Sequence, residues 1–220
     1  MFYFLEKAVT KIFGGTIVAC GDEEYKYALQ LGKSTLIRNG VDIEFLNNYY
    51  NKNYKNERLT IGTCGRISYQ KNPKLFNEIA LTLPQYDFVW IGDGELRSEI
   101  TAPNITVAGW QTHHETLNMV NKLDVFLSTS LWEGLPFNII EAMVLRKPIV
   151  SLDIESNRIT VSQNESGYIC KNVPEFVKSL KFFESKENID KFGEESFKRA
   201  KSLFDMNKNF EDLEKLYRKV

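Results

Sequence analysis

The chain is poor in the residues that small metal-binding, disulfide-bonded or histidine-driven folds depend on. It has three cysteines, Cys20, Cys64 and Cys170, an odd number, far apart and with no Cys-x-x-Cys pair. That pattern speaks against a zinc ribbon or a disulfide framework. It favours buried thiols in apolar strands, as a reducing cytoplasm allows. The only two histidines, His113 and His114, are adjacent. Neighbouring side chains diverge on a helix, so the pair reads as a solvated helix start rather than a metal site or part of a triad. No Gly-x-Ser-x-Gly elbow is present. No apolar run approaches the roughly 18 residues of a membrane span. The N-terminal MFYFLEKAVTKIF has neither a basic leader nor a small-residue cleavage site, which makes it a poor signal peptide.

Charge of one sign is also missing. Twenty-eight basic and 29 acidic side chains leave a net charge of −1, so no basic surplus exists for general nucleic-acid binding. A local phosphate site needs only one or two cations and remains open.

What is present is alternation. TIVAC from Thr16 reads as a strand, DEEYKYALQLG as a helix closed by Gly32, and STLIRNGVD as a strand ending in a turn. NNYYNKNYKNER from Asn47 is polar, buries little and reads as a linker. LTIGTC, YDFVWIG, NITVAGW, DVFLSTS, KPIVSLD and SGYIC then read as strands. Helical patterns alternate with them, beginning with PKLFNEIALTL at Pro73, and the chain is mostly helical from Pro174 onward. Apolar strands separated by helices indicate an α/β fold, a Rossmann-like parallel sheet with helices on both faces. Ligands of such sheets sit beyond the carboxyl ends of the strands, so chemistry is expected in the loops GRISYQKN, GDGE, GWQ and STSLWEGLP. The N-terminal helix carries apolar residues at Phe2, Leu5, Val9 and Ile12, which suits either core packing or a membrane surface.

Two motifs mislead. LGKST at Leu31–Thr35 ends like a P-loop, but Tyr27 stands where its first Gly belongs, and the segment follows a helix. IGDGELR from Ile91 resembles a dinucleotide fingerprint with Arg97 replacing the third Gly. It reads better as a tight turn with Asp93 or Gly94 near a helix N-cap.

The strongest constellation is SLWEGLPFNIIEAMVLRKPIVSLD, with Glu133 and Glu141 separated by seven residues. Glu133 falls in the loop after a strand, Gly134 lets the backbone turn, Pro136 starts a helix and Glu141 lies inside it. Outward-facing amides of Leu135, Phe137 and Asn138 at that helix N-terminus suit a phosphate. Carboxylates accept hydrogen bonds from sugar hydroxyls. In GTCGRISYQKNP a strand ends at Gly65, and Arg66 and Lys71 then project from the loop. Both cations suit phosphate oxygens.

On these motifs the chain resembles the group 1 glycosyltransferases of family four, which have the GT-B fold. GRISYQKNP is similar to their Gly-Arg…Gln-Lys loop, WIGDGELR to a Gly-x-Gly-x-x-Arg segment, ITVAGWQ to a Gly-aromatic loop and EGLPFNIIEAM to their paired-glutamate motif. The resemblance covers residues 58–220 and extends weakly to TIVACGDEE and LIRNGVD. It implies the C-terminal half of a GT-B fold: a remnant of the N-terminal acceptor-side domain at 1–40, a hinge at 41–58, a donor-binding domain at 59–203 and a crossover helix at 204–220. It further implies a retaining transferase in surface polysaccharide or lipopolysaccharide synthesis, cytoplasmic or peripheral to the inner face of the membrane. The donor would be a nucleotide-diphospho-sugar and the acceptor a glycan or lipid-linked glycan. No cofactor or metal is implied, and no Asp-x-Asp motif occurs. Arg66 and Lys71 would grip the diphosphate beside Gly65, Glu133 would bind the transferred sugar and Glu141 the ribose. Gly109, Trp110 and Gln111 would lie against the base, and Gly134, Leu135, Pro136, Phe137 and Asn138 would form the phosphate-facing turn. Catalysis would rest on Glu133, Arg66 and Lys71. Without an acceptor-side domain, or a partner chain supplying one, donor binding without transfer is expected. Apolar surface is expected near residues 1–20 and 204–220. A non-catalytic nucleotide-sugar-binding subunit is the alternative from another class. A sugar-nucleotide epimerase fits less well, because no dedicated acid–base set is apparent.

Overall fold

The computed structural model describes residues 2–218, and the chain divides into two compact units, Met1–Asp42 with Leu203–Val220, and Ile43–Ser202. Met1, Lys219 and Val220, which fall within the expected end segments, lie outside the described residues.

The smaller unit begins with α1 (Phe2–Phe13), β1 (Ile17–Ala19), α2 (Asp22–Leu31) and β2 (Ser34–Leu36). β1 and β2 pair in parallel, and α2 is the crossover between them. Leu5, Val9, Ile12 and Phe13 of α1 are exposed, as are Phe210 and Tyr217 of the last helix. The apolar surface expected near both ends is therefore present. Cys20 follows β1 and is half-buried. It differs from the expected strand-buried thiol in standing one residue past the end of β1.

The larger unit runs α3 (Ile43–Asn47), β3 (Thr60–Cys64), α4 (Pro73–Thr82), β4 (Asp87–Ile91), β5 (Ile105–Val107), α5 (His113–Asn121), β6 (Val125–Ser128), α6 (Phe137–Val144), β7 (Ile149–Leu152), α7 (Glu155–Thr160), β8 (Gly167–Cys170), α8 (Val173–Phe182) and α9 (Lys186–Leu203). α10 (Met206–Tyr217) returns to the smaller unit. The six strands pair in the order β5-β4-β3-β6-β7-β8, all parallel. Neighbours succeed one another outward from β3 in one direction and from β6 in the other. The order reverses between β3 and β6, which is where a doubly wound sheet opens a crevice. Central strands are buried on both faces, every residue of β6 and all but the first of β3. Strands covered on both sides tend to be continuous apolar runs; β6 (VFLS) comes close, while β3 (TIGTC) buries Gly62 and Thr63 beside its apolar residues.

Local chemistry sets the helix starts that matter. α4 begins at Pro73, whose missing N–H costs nothing in a first turn, and the Asn72 side chain accepts from the Leu75 amide. α5 begins with a capping box: Thr112 accepts from the Glu115 amide while the Glu115 carboxylate accepts from the Thr112 amide at 2.8 Å. Phe76 of α4 packs edge-on against Trp90 (5.0 Å between centroids) and Phe88 (5.7 Å) of β4, and all three are fully buried.

The Asn- and Lys-rich stretch after Asn47 is mostly exposed, as expected. It is nevertheless tethered to its own unit. The Asn56 amide donates to the Lys122 carbonyl (2.8 Å) and to Asp124 (2.9 Å), and the Asn51 N–H donates to the Asn121 side chain (3.2 Å). Asp93 does not cap a helix. Its carboxylate accepts from the Gly94 amide and pairs with Arg97 at 2.9 Å, and the segment after it is a single 3-10 turn at Arg97–Glu99.

Lys147 is a buried cation. It is 8% exposed, its ammonium donates to the Asn121 carbonyl at 2.6 Å, and burial pushes its pKa down from 10.5 to about 8, Asp124 opposing the shift. Between those two values the unfolded chain holds a proton that the folded chain has lost, so stability rises with pH across that window. Below pH 8 both states are protonated and the burial cost is constant. The expected result is that the wild type gains on the order of 2 kcal/mol relative to Lys147→Met between pH 7.5 and 9.5. Urea midpoints of both proteins at the two pH values measure it, and parallel behaviour would contradict it.

Candidate functional site

The loop after β3 and the loop after β6 meet at the switch point. Gly65 closes β3 with φ +135°, a backbone conformation that suits glycine. The Lys71 side chain lies over it, with Cε 3.2 Å from where a Gly65 Cβ would stand. Gly92, at the end of β4, has φ +139°, and a Cβ there would stand 2.2 Å from the Gly65 carbonyl. The Gly65 amide donates to the Ile91 carbonyl (2.9 Å), and the buried Trp90 indole donates to the Gly65 carbonyl (2.9 Å). These contacts together fix the floor of the crevice.

Above that floor, Lys71 Nζ is 2.6 Å from Glu133 Oε1, with the two side chains 17% and 10% exposed. Gln70 donates to the other Glu133 oxygen at 3.3 Å and to the Trp132 carbonyl at 2.9 Å. Leu131 N–H donates to the Gln70 carbonyl (2.8 Å), and the Thr129 hydroxyl donates to the Lys71 carbonyl (2.8 Å). The two loops are thus stitched by backbone as well as side-chain bonds. Tyr69 and Trp132, both exposed, face each other across them at 5.9 Å between ring centroids.

α6 begins beside this pair. Its first position carries no side-chain cap, since Pro136 stands there. Among the described residues the amides of Leu135 and Asn138 take no backbone acceptor. The Phe137 amide differs from expectation: it donates to the Leu135 carbonyl at 2.9 Å in a tight turn, so it does not face outward. The Asn138 side chain donates to the Cys64 carbonyl (3.0 Å) and pins the helix start to the end of β3. One turn further, Glu141 Oε1 lies 2.9 Å from His113 Nε2. Glu141 is close enough to the buried Cys64 that its charge adds to burial, the larger cause, in raising the thiol to about 12.

A cleft of about 420 Å³ results, within the roughly 300–1,000 Å³ usual for small-molecule sites. Of the residues singled out in the sequence, Gly65, Lys71, Glu133, Leu135, Phe137 and Asn138 line it on the switch-point side. Trp110 and Gln111 line it from the loop after β5, where Gly109 has φ +75° and bridges to Gly92. Arg66, Gly109, Gly134, Pro136 and Glu141 are not among its lining residues. Arg66 is exposed and turned to Glu95 at 2.9 Å. Sequence reading misses Gln70, Thr116 and His113. The Thr-x-x-Glu capping box that starts α5 at His113 is the available signal. Among the described residues no three of His, Cys, Asp and Glu converge as a metal-ligand group would, and no helix is long and apolar enough to cross a membrane.

Residues 47–199 match the family described as glycosyl transferases group 1. Among curated relatives, the chain is 28% identical over 173 residues to the UDP-Gal:alpha-D-GlcNAc-diphosphoundecaprenol alpha-1,3-galactosyltransferase of Escherichia coli, covering 67% of this chain and 44% of that enzyme. It is 33% identical over 66 residues to the putative teichuronic acid biosynthesis glycosyltransferase TuaC of Bacillus subtilis, covering 30% and 17%. The chain thus spans less than half the length of these curated relatives. Anabaena HepE in complex with UDP superposes with a TM-score of 0.86 at 16% identity, covering 99% of this chain and 67% of that one. TarM of S. aureus, solved with UDP, superposes at 0.80 and 18% identity, covering 97% and 45%. At such identities the superpositions speak to fold alone, the α/β Rossmann-like architecture of GT-B glycosyltransferases. With the match over residues 47–199, the chain belongs to the group 1 glycosyl transferases.

Proposed function

We propose that this chain supplies the donor-binding part of a retaining, metal-independent glycosyltransferase. Its donor is a sugar linked to UDP, its acceptor a glycan or lipid-linked glycan, and its setting surface polysaccharide synthesis. The observation that carries the reading is the Lys71–Glu133 pair beside the uncapped start of α6 at the switch point. One cation, unpaired amides and a helix dipole suit a diphosphate, and the adjacent carboxylate suits sugar hydroxyls. As the sugar leaves, charge grows on the diphosphate, and these preorganised groups stabilise it. Arg66, on an exposed loop, would join them by giving up Glu95. Glu141 would take the ribose hydroxyls, with His113 fixing its carboxylate. UDP is favoured because the E. coli relative is named for a UDP-sugar and the Anabaena structure carries UDP. An acceptor-side domain would complete the enzyme, and a peripheral membrane position would suit a lipid-linked acceptor.

Calorimetric titration with UDP, GDP and ADP tests the donor reading. UDP is expected to bind the 220-residue chain without sugar transfer. Glu141→Ala should weaken UDP by roughly tenfold, about the worth of one hydrogen bond to a charged group. It should also erase the preference for UDP over 2′-deoxy-UDP, and His113→Ala should erase part of it. Equal affinity of wild type and Glu141→Ala for both nucleotides would remove the ribose assignment. Turnover by the chain alone would remove the need for an acceptor-side domain.

A further inference from the structure

A second cavity, of about 400 Å³, opens at the other end of the same sheet. It is lined by Leu59 before β3, Asp124 before β6, and Arg146 and Lys147 before β7, so it lies at the amino ends of the strands. Across five residues of β3, at about 3.3 Å each, it is roughly 16 Å from the donor cleft. The doubly wound fold assigns no ligand to that end.

Its walls are rich in positive charge. Lys52, Lys55, Arg58, Lys122, Arg146, Lys147 and Lys186 face Glu57, Asp124, Glu184 and Asp190. Two of the carboxylates already accept hydrogen bonds: Asp124, whose charge also acts on Lys147, from the Thr60 amide (2.8 Å) and from Asn56 of the same wall, and Glu184 from the Tyr86 hydroxyl. Arg58 and Arg146 pair with Asp87 and Glu194, outside the cavity lining. Among the described residues Lys52, Lys55 and Lys186 enter no ion pair. Lys147 is held at the back with one of its three donors on the Asn121 carbonyl. Arg146 has a left-handed backbone, φ +54°, and its guanidinium lies 4.0 Å from the Tyr50 ring and 4.1 Å from the Phe197 ring. Strained non-glycine backbone of this kind persists where the surroundings over-determine it. A concave surface of one net sign focuses field and concentrates counter-ions. The side-chain amide of Asn51 at its wall offers hydrogen bonds to a hydroxylated ring, and the Tyr50 and Tyr54 rings, each with one face taken by Arg146 and Lys122 respectively, border it.

We propose that this cavity is a second anion site, separate from the donor cleft, that takes a small phosphate ester of a sugar. The unpaired Lys52, Lys55 and Lys186 provide the charge, Lys147 the buried donor, and the tyrosines and asparagine the contacts to the sugar.

The test is an amide-shift titration of the whole chain with glucose 1-phosphate at low salt, with glucose and UDP as comparisons. Shifts are expected at Asn51, Asn56 and Lys147 with glucose 1-phosphate and not with glucose. They should weaken roughly tenfold or more in Lys52→Glu/Lys55→Glu/Lys186→Glu and persist in Lys71→Ala. UDP affinity should be unchanged in the triple variant, so failure of this site leaves the donor reading standing, and the reverse. If the triple variant does not fold, Lys186→Gln carries the comparison, with a several-fold loss expected. Shifts confined to Gly65 and Lys71, shifts equal for glucose and its phosphate, or none at all would overturn the proposal.

Discussion

Lys71→Ala is expected to cost roughly ten- to hundredfold in affinity for UDP, while Glu133→Gln is expected to raise it. The two opposite signs come from one contact. Lys71 Nζ sits 2.6 Å from Glu133 Oε1, and both side chains are largely buried. A charge-assisted hydrogen bond is worth about 1.5–3 kcal/mol, and each 1.4 kcal/mol is a factor of about ten in affinity. An incoming diphosphate must share or displace the carboxylate to reach the ammonium. Removing the negative charge at Glu133 while keeping its shape frees Lys71, and Gln70 can still donate to the amide oxygen. Removing Lys71 leaves Glu133, 10% exposed, facing a phosphate with no cation between them, and like charges repel there.

The same substitutions should separate nucleotide from sugar. Glu133→Gln is expected to bind UDP several-fold more tightly yet to lose the margin by which a UDP-sugar outbinds UDP, because its carboxylate is the group proposed to accept from sugar hydroxyls. Calorimetry of UDP and UDP-glucose with wild type and both variants measures all of these quantities. If Glu133→Gln weakens UDP as much as Lys71→Ala does, the pair acts only as a structural clasp between the two loops. Lys71→Ala also breaks that clasp, so a thermal scan should accompany it. A large fall in melting temperature with unchanged UDP affinity would likewise reduce the pair to a clasp.

The sheet is readable in the sequence because short, mostly apolar segments alternate with helical patterns. β6 (VFLS) is nearly continuous in apolar residues, whereas β3 (TIGTC), its partner across the switch point, is recognised by its place between the polar stretch and α4 rather than by an unbroken apolar run. α7, ESNRIT, has no apolar period to find. It is held by Asn157, whose buried side chain donates to the Leu152 carbonyl at 3.0 Å. α3 is only five residues long, too short for a period to show. The segment after Asn47 reads as a linker because Asn and Lys say nothing about which carbonyl they will meet. Its bonds to Lys122 and Asp124 span more than sixty residues. Within the candidate site, Lys71 and Glu133 are legible as residue types at loop positions. Their pairing is not, and neither is the choice of Glu95 by Arg66, since each depends on which loops the strand order brings together. His113 has a histidine neighbour and so reads as solvated. It is indeed exposed at the first position of α5, and what the sequence does not show is that the Thr112 cap sets its Nε2 2.9 Å from Glu141 Oε1.

The second large effect is expected at Trp90, which joins the core to the cleft. Its ring packs 5.0 Å from Phe76, and it is 1% exposed. Its N–H is the donor to the Gly65 carbonyl at 2.9 Å. Trp90→Ala removes a fully buried indole and should destabilise the larger unit by about 3–5 kcal/mol. Trp90→Phe keeps most of the packing but leaves the Gly65 carbonyl without that donor, which should cost about 1–3 kcal/mol. Gly65 is the residue over which Lys71 lies, with φ +135° and the Gly92 backbone pressed against its carbonyl. Loosening that carbonyl should let Gly65 relax and carry the Lys71 side chain away from Glu133. Trp90→Phe is therefore expected to weaken UDP binding several-fold, although Trp90 is not among the residues that line the cleft. Phe88→Leu on the same strand, buried beside Phe76 but with no bond to the cleft floor, should lose comparable stability and keep its UDP affinity. Urea unfolding paired with UDP titration of both variants distinguishes the outcomes. Equal loss of affinity in the two would mean that binding follows global stability and that the indole–Gly65 bond has no separate part in shaping the site.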